Sequence, residues 1–132
     1  MANKKYPKYA EALLRGGANL ESGTVKVALI DLGVYTYNDA HEFFSSVSGV
    51  VGTPVEVTGK TFVNGLFDAT VNPTFSAVTG NTAEALILYI DTTNPATSRL
   101  LIFMDTDIGG IPVTPNGGDI NLTWNASGIF QI

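Results

Sequence analysis

The sequence predicts a mainly β, single-domain fold: an antiparallel β-sandwich of jelly-roll type with one or two short α-helices. Three observations lead there. Short runs rich in Val, Ile, Thr and aromatic residues recur at roughly ten-residue spacing, separated by Gly, Asn and Pro turns. Several runs alternate apolar and polar residues, as half-buried strands do, whereas helical periodicity shows mainly near the N-terminus. The 132 residues also fit one domain, because area scaling gives about 6,700 Å² exposed against about 20,000 Å² for the extended chain, enough burial for an independent core.

Taken in order, Tyr6, Tyr9, Ala10, Leu13 and Leu14 fall on one face of a helix, with Pro7 suited to its first turn and Gly16 or Gly17 to its stop, which predicts a helix over 7–15. Residues 1–19 are therefore expected to form a basic N-terminal arm with a short helix, and residues 20–132 the β-sandwich body. Residues 24–30 predict a strand with Val25, Val27 and Leu29 on one face and Lys26 on the other. Asp39, with Glu42 at the capping-box position, predicts a second short helix that turns Phe43, Phe44 and Val47 inward. Asn64-Gly65 predicts a two-residue hairpin joining strands over 57–63 and 66–71, because both residues tolerate positive φ. Residues 84–91 and 98–105 are apolar on both faces and predict central strands joined by the turn 92–97. Residues 119–124 alternate strictly, with Ile120, Leu122 and Trp124 facing one way. Ile129 and Phe130 predict a tail pinned in a sheet or interface.

Charge narrows the function classes. Only 14% of residues are charged, where an ordinary domain carries about 25%, so much of the surface suits contact with protein. The net charge of −5 is uneven: Lys4, Lys5, Lys8 and Arg15 against Glu11 make the first 15 residues basic, and the remainder is acidic. That split points to an arm docking on an acidic neighbour such as a second copy, the other reading being a frayed and solvated N-terminus; an acidic body repels phosphate, so no nucleic-acid partner is expected. The longest apolar runs are strand-length, far short of the roughly 20 residues that span a bilayer, so no membrane partner is expected. With no cysteine, disulfides, thiolate chemistry and Cys-based zinc sites are excluded. Residues 1–9 lack the apolar stretch of a secretory signal, and the chain is expected to stay where it is made.

Candidate chemistry is sparse. Nucleophilic catalysis needs a base, and the single histidine, His41, sits at an inferred helix start where an exposed residue explains it equally well. Asp68, Asp91 and Asp105 read as turn residues. Residues 105–110 begin like a calcium loop, but Gly109 stands where an oxygen ligand is needed and Asn116 where a bidentate Glu belongs. A weak cation site at Asp105, Asp107 and Asp119 is the alternative to an acidic turn. Tyr35 and Tyr37 would share a face if extended, as a sugar platform requires; packing against the body is the other reading. No enzyme activity, catalytic residue, cofactor or metal is expected.

Three stretches carry a resemblance: 23–31 (Gly-Thr-Val-Lys-Val-Ala-Leu-Ile-Asp), 74–80 (Thr-Phe-Ser-Ala-Val-Thr-Gly) with 83–89 (Ala-Glu-Ala-Leu-Ile-Leu-Tyr), and 111–120 (Ile-Pro-Val-Thr-Pro-Asn-Gly-Gly-Asp-Ile). With the Trp124 strand and the Ile129-Phe130 tail, the chain from about residue 20 onward resembles small virion structural proteins of tailed bacteriophages, most of all head decoration (capsid cement) proteins. The resemblance implies a non-enzymatic assembly component, made in the host cytoplasm and located in the virion. It would bind the major capsid protein and copies of itself, as a homotrimer, and brace the shell. The expected assembly interface is Lys4, Lys5, Tyr6, Lys8 and Tyr9 of the arm with Ile129 and Phe130 of the tail. The alternative is a tail- or fibre-associated glycan-binding module using Tyr35 and Tyr37.

Overall fold

The apolar runs and turn signals resolve into a β structure with one helix; the computed structural model describes residues 3–132. In chain order the elements are β1 (Lys4–Lys5), α1 (Pro7–Leu14), β2 (Thr24–Ile30), a 3-10 turn (Phe44–Ser46), β3 (Val50–Glu56), β4 (Lys60–Val63), β5 (Leu66–Ala69), β6 (Thr74–Phe75), β7 (Ala85–Asp91), β8 (Arg99–Met104), β9 (Ile108–Gly109), β10 (Ile120–Asn121), β11 (Thr123–Trp124) and β12 (Phe130–Gln131). All pairings are antiparallel and the molecule is a sandwich-like single domain, as the sequence predicts. Its accessible surface is 6549 Å², close to the area expected for a well-packed domain of this mass.

The main sheet runs in the order β1-β8-β7-β2-β3. Runs apolar on both faces belong in the middle of a covered sheet, and β7 and β8 lie there, with Ala85 to Tyr89 and Leu100 to Met104 buried. β2 pairs with β7 in unbroken register from Thr24 opposite Asp91 to Ile30 opposite Ala85. One face of the sheet is covered by the long connection after β2: Tyr35 and Tyr37 pack on Phe103, and Phe44 stacks on Tyr89 with ring centroids 4.0 Å apart. The small sheets β12-β5-β4, β10-β6 and β11-β9 add Phe67, Phe75, Ile120, Leu122, Trp124 and Phe130 to the same core. The Asn64-Gly65 hairpin forms as expected, with φ of 52° and 78° at the two turn residues.

Three expectations are corrected. The first 19 residues are not an arm set apart from a body. β1 pairs with β8, Tyr6 N–H donates to the Leu101 carbonyl, and the Asn3 side chain accepts from the Asp105 and Thr106 amides. The helix itself stands where the periodicity puts it. No second α-helix starts at Asp39: its carboxylate accepts the Tyr37 hydroxyl at 2.7 Å, and Glu42 turns to Arg99. The backbone there is drawn to the sheet, with Phe44 N–H donating to Ser98 O and Leu100 N–H to Glu42 O, so tertiary bonds replace the capping box. Residues 119–124 keep their alternating burial but divide between two partners, β10 with β6 and β11 with β9.

Candidate interaction surface

Segments near the two ends of the chain meet. β1 lies along β8, α1 follows and packs on β8, and β12 pairs with β5, so Tyr9 and Phe130 touch edge-on at 5.9 Å and Phe130 packs on Phe67 at 5.3 Å. The structure thus gathers the residues of the expected interface, but it buries the apolar ones. Tyr6, Tyr9, Ile129 and Phe130 are 0%, 2%, 5% and 8% exposed, which corrects their assignment as a contact surface. Only the lysines remain outside. Lys4 lies over the Tyr37 ring, Lys5 donates to the Gln131 carbonyl at 2.9 Å, and Lys8 pairs with Glu11 at 3.0 Å, holding that carboxyl below its ordinary range.

Above this buried seam lies an uncovered apolar groove of about 320 Å³, lined among others by Tyr9, Leu13, Leu20, Phe62, Phe67 and Ile132. Most of the large exposed apolar side chains belong to the elements that build it: Leu14 at 89%, Ile132 at 67%, Val63 at 61% and Phe62 at 43%. One wall is fixed by Lys60, whose ammonium donates to the carbonyls of Leu20 at 2.6 Å and Gly23 at 2.7 Å and tethers the β4–β5 hairpin to the loop after α1. Of these, Phe62 escaped sequence reasoning although a signal was present: Phe62-Val63 is an adjacent apolar pair, and neighbours on a strand cannot both face one core.

A second cleft, of about 340 Å³, lies on the polar side of α1 between Lys8, Glu11, Arg15, Glu42 and Arg99. Its ion pairs are Lys8–Glu11 and Arg99–Glu42, the latter at 3.2 Å, with Arg15 more loosely tied to Glu11 at 3.9 Å. With Lys4 and Lys5 nearby in the chain, it gathers most of the positive charge on the α1 and β8 side of an acidic molecule.

The other candidates do not assemble into open sites. Tyr35, 2% exposed, shares a hydrogen bond of 2.8 Å with Tyr6 and another of 2.8 Å with Nδ1 of His41, so its ring offers no face to a sugar. Burial pushes the hydroxyls of Tyr6, Tyr35 and Tyr37 above the ordinary tyrosine range. Asp119 accepts the Ala77 amide at 3.0 Å and Asp107 sits exposed in a turn. Among the described residues, no three of His, Asp or Glu gather at a spacing suited to a metal ion. No protein-family model matches the chain, and no curated protein matches it either.

Proposed function

We propose that this chain is a virion structural protein of a tailed bacteriophage, a capsid cement or head decoration protein that binds the major capsid protein. The observation that carries the reading is the uncovered apolar groove beside a basic α1 face, on a molecule whose Tyr35, His41 and Asp119 side chains are engaged within the fold. A surface of that kind is built for protein contact: the apolar strip supplies area to bury and the cations supply orientation against an acidic neighbour. The resemblance of the stretches 23–31, 74–89 and 111–120 to phage structural proteins supports the same reading.

Mixing the protein with capsid shells that lack it tests the proposal. Saturable binding, a raised melting temperature of the shell, and binding that weakens about tenfold or more in Lys4→Glu/Lys5→Glu or in Leu14→Glu are expected. A folded protein that ignores such shells at every concentration would overturn the proposal.

A further inference from the structure

The groove is flanked by β4, and among the described residues β4 is the one strand edge of four or more residues with neither a proline nor an irregular register. The outer strands of the main sheet are blunted: β1 has two residues, both lysine, and β3 carries Pro54 and an irregular register beside Gly52, whose φ is 70°. The Lys5 ammonium bonds the Gln131 carbonyl of β12. β4 has no proline and no irregular register, and its one lysine, Lys60, is turned to the carbonyls of Leu20 and Gly23. Val63 and Leu66 flank a two-residue turn and form its closing hydrogen-bonded pair, and the bond from Thr70 N–H to Gly59 O keeps the same phase at the other end. The backbone N–H and C=O groups of Lys60 and Phe62 therefore point away from β5. Among the described residues, no backbone group elsewhere in the chain meets them.

We propose that β4 pairs antiparallel with β4 of a second copy of this chain about a two-fold axis at Phe62, closing the apolar grooves of both. Such pairing is isologous, because each strand gives and receives the same bonds. In this register Phe62 faces Phe62 of the copy, Thr61 faces Val63 and Lys60 faces Asn64, so no like charges are opposed. Charge also suits a second copy. Beside the groove stand Glu21 and Lys60, of opposite sign, on a chain of net charge −5. The rim of the groove therefore carries one charge of each sign, and two copies meet there without opposing a run of like charges. The inference uses the same groove as the capsid reading, but it rests on the open β4 edge and is tested separately.

Sedimentation velocity over a concentration series tests it, with Val63→Lys and Phe62→Pro as variants. Val63 is exposed enough to accept a lysine, and a proline at Phe62 removes an outward N–H without breaking a bond to β5, together with the ring stacked on Phe67 at 5.4 Å. The expected results are a wild-type dimer and at least a tenfold rise in its dissociation constant in both variants, with circular dichroism unchanged. Because the chain has no cysteine, Thr61→Cys/Val63→Cys gives a clean second readout: mild oxidation should yield a covalent dimer. A wild-type monomer at all concentrations, a trimer, or a dimer indifferent to Val63→Lys would overturn the pairing. Shell binding separates the two proposals. A monomer that binds shells removes only this inference, and a dimer that ignores them removes only the capsid reading.

Discussion

Single side chains show how a low-charge sequence still fixes a unique interior. Tyr9 is buried against Phe130, and burial raises its hydroxyl to about 12; Tyr89, under Phe44, is raised likewise to about 12. A tyrosine whose folded pKa exceeds its unfolded value of about 10 contributes stability that is complete below pH 10 and lost as pH rises toward the folded pKa. Unfolding by urea at pH 8 and pH 11 should therefore show a loss of about 1 kcal/mol from each residue at the higher pH. Tyr9→Phe should remove its share of that loss while changing stability little at pH 8. An alkaline loss of the same size in the variant would show that Tyr9 does not carry it.

At the scale of elements, tethers decide where the short pieces sit. β4 and β5 make a small hairpin that would be marginal by itself, and Lys60 binds it to the loop after α1 through the carbonyls of Leu20 and Gly23. Lys60→Met keeps the stem but leaves those carbonyls without the ammonium. Hydrogen bonds to charged groups contribute about 1.5–3 kcal/mol, so a loss of about 2 kcal/mol is expected in chemical denaturation. A change below about 0.5 kcal/mol would mean that water replaces the ammonium without cost. The Asn64-Gly65 turn was legible in the sequence because its requirement is local, a pair of positive φ values. The helix expected at Asp39 was misread because its capping groups have other partners: Asp39 takes the Tyr37 hydroxyl two residues back, and Glu42 pairs with Arg99 far along the chain.

For the whole molecule, the decisive feature is that Tyr6 and Tyr9 near one end of the chain and Ile129 and Phe130 near the other lie in the core. Deleting residues 1–9 removes β1 together with Tyr6 and Tyr9, so the effect should be on folding and not merely on a contact. The truncated chain should lose its cooperative thermal transition and bind a hydrophobic dye, as measured by circular dichroism and dye fluorescence. A truncated chain that melts like the full one would show that the N-terminus is dispensable to the fold. The same geometry explains why the expected interface was half legible. Sequence picked out the aromatic and apolar residues near both ends as unusually placed, and they do converge, but on one another; the groove outside them is lined by the plainer Leu13 and Phe62, with Leu14 and Val63 exposed next to them in the chain.

What the sequence by itself determined was whatever is encoded over a few residues: the mainly β class, the helix over 7–15, the hairpin at Asn64-Gly65, the central strands and the alternation of residues 119–124. Each follows from periodicity or from the φ that a turn requires, and neither needs a distant partner. Only the tertiary structure decided that the N-terminal segment is a strand of the main sheet, that residues 119–124 serve two neighbours, and that β4 keeps an open edge beside an apolar groove. Those outcomes depend on which segments compete for the same hydrogen bonds and the same buried volume. That competition is settled among residues as far apart as Asn3 and Thr106, beyond the reach of local pattern.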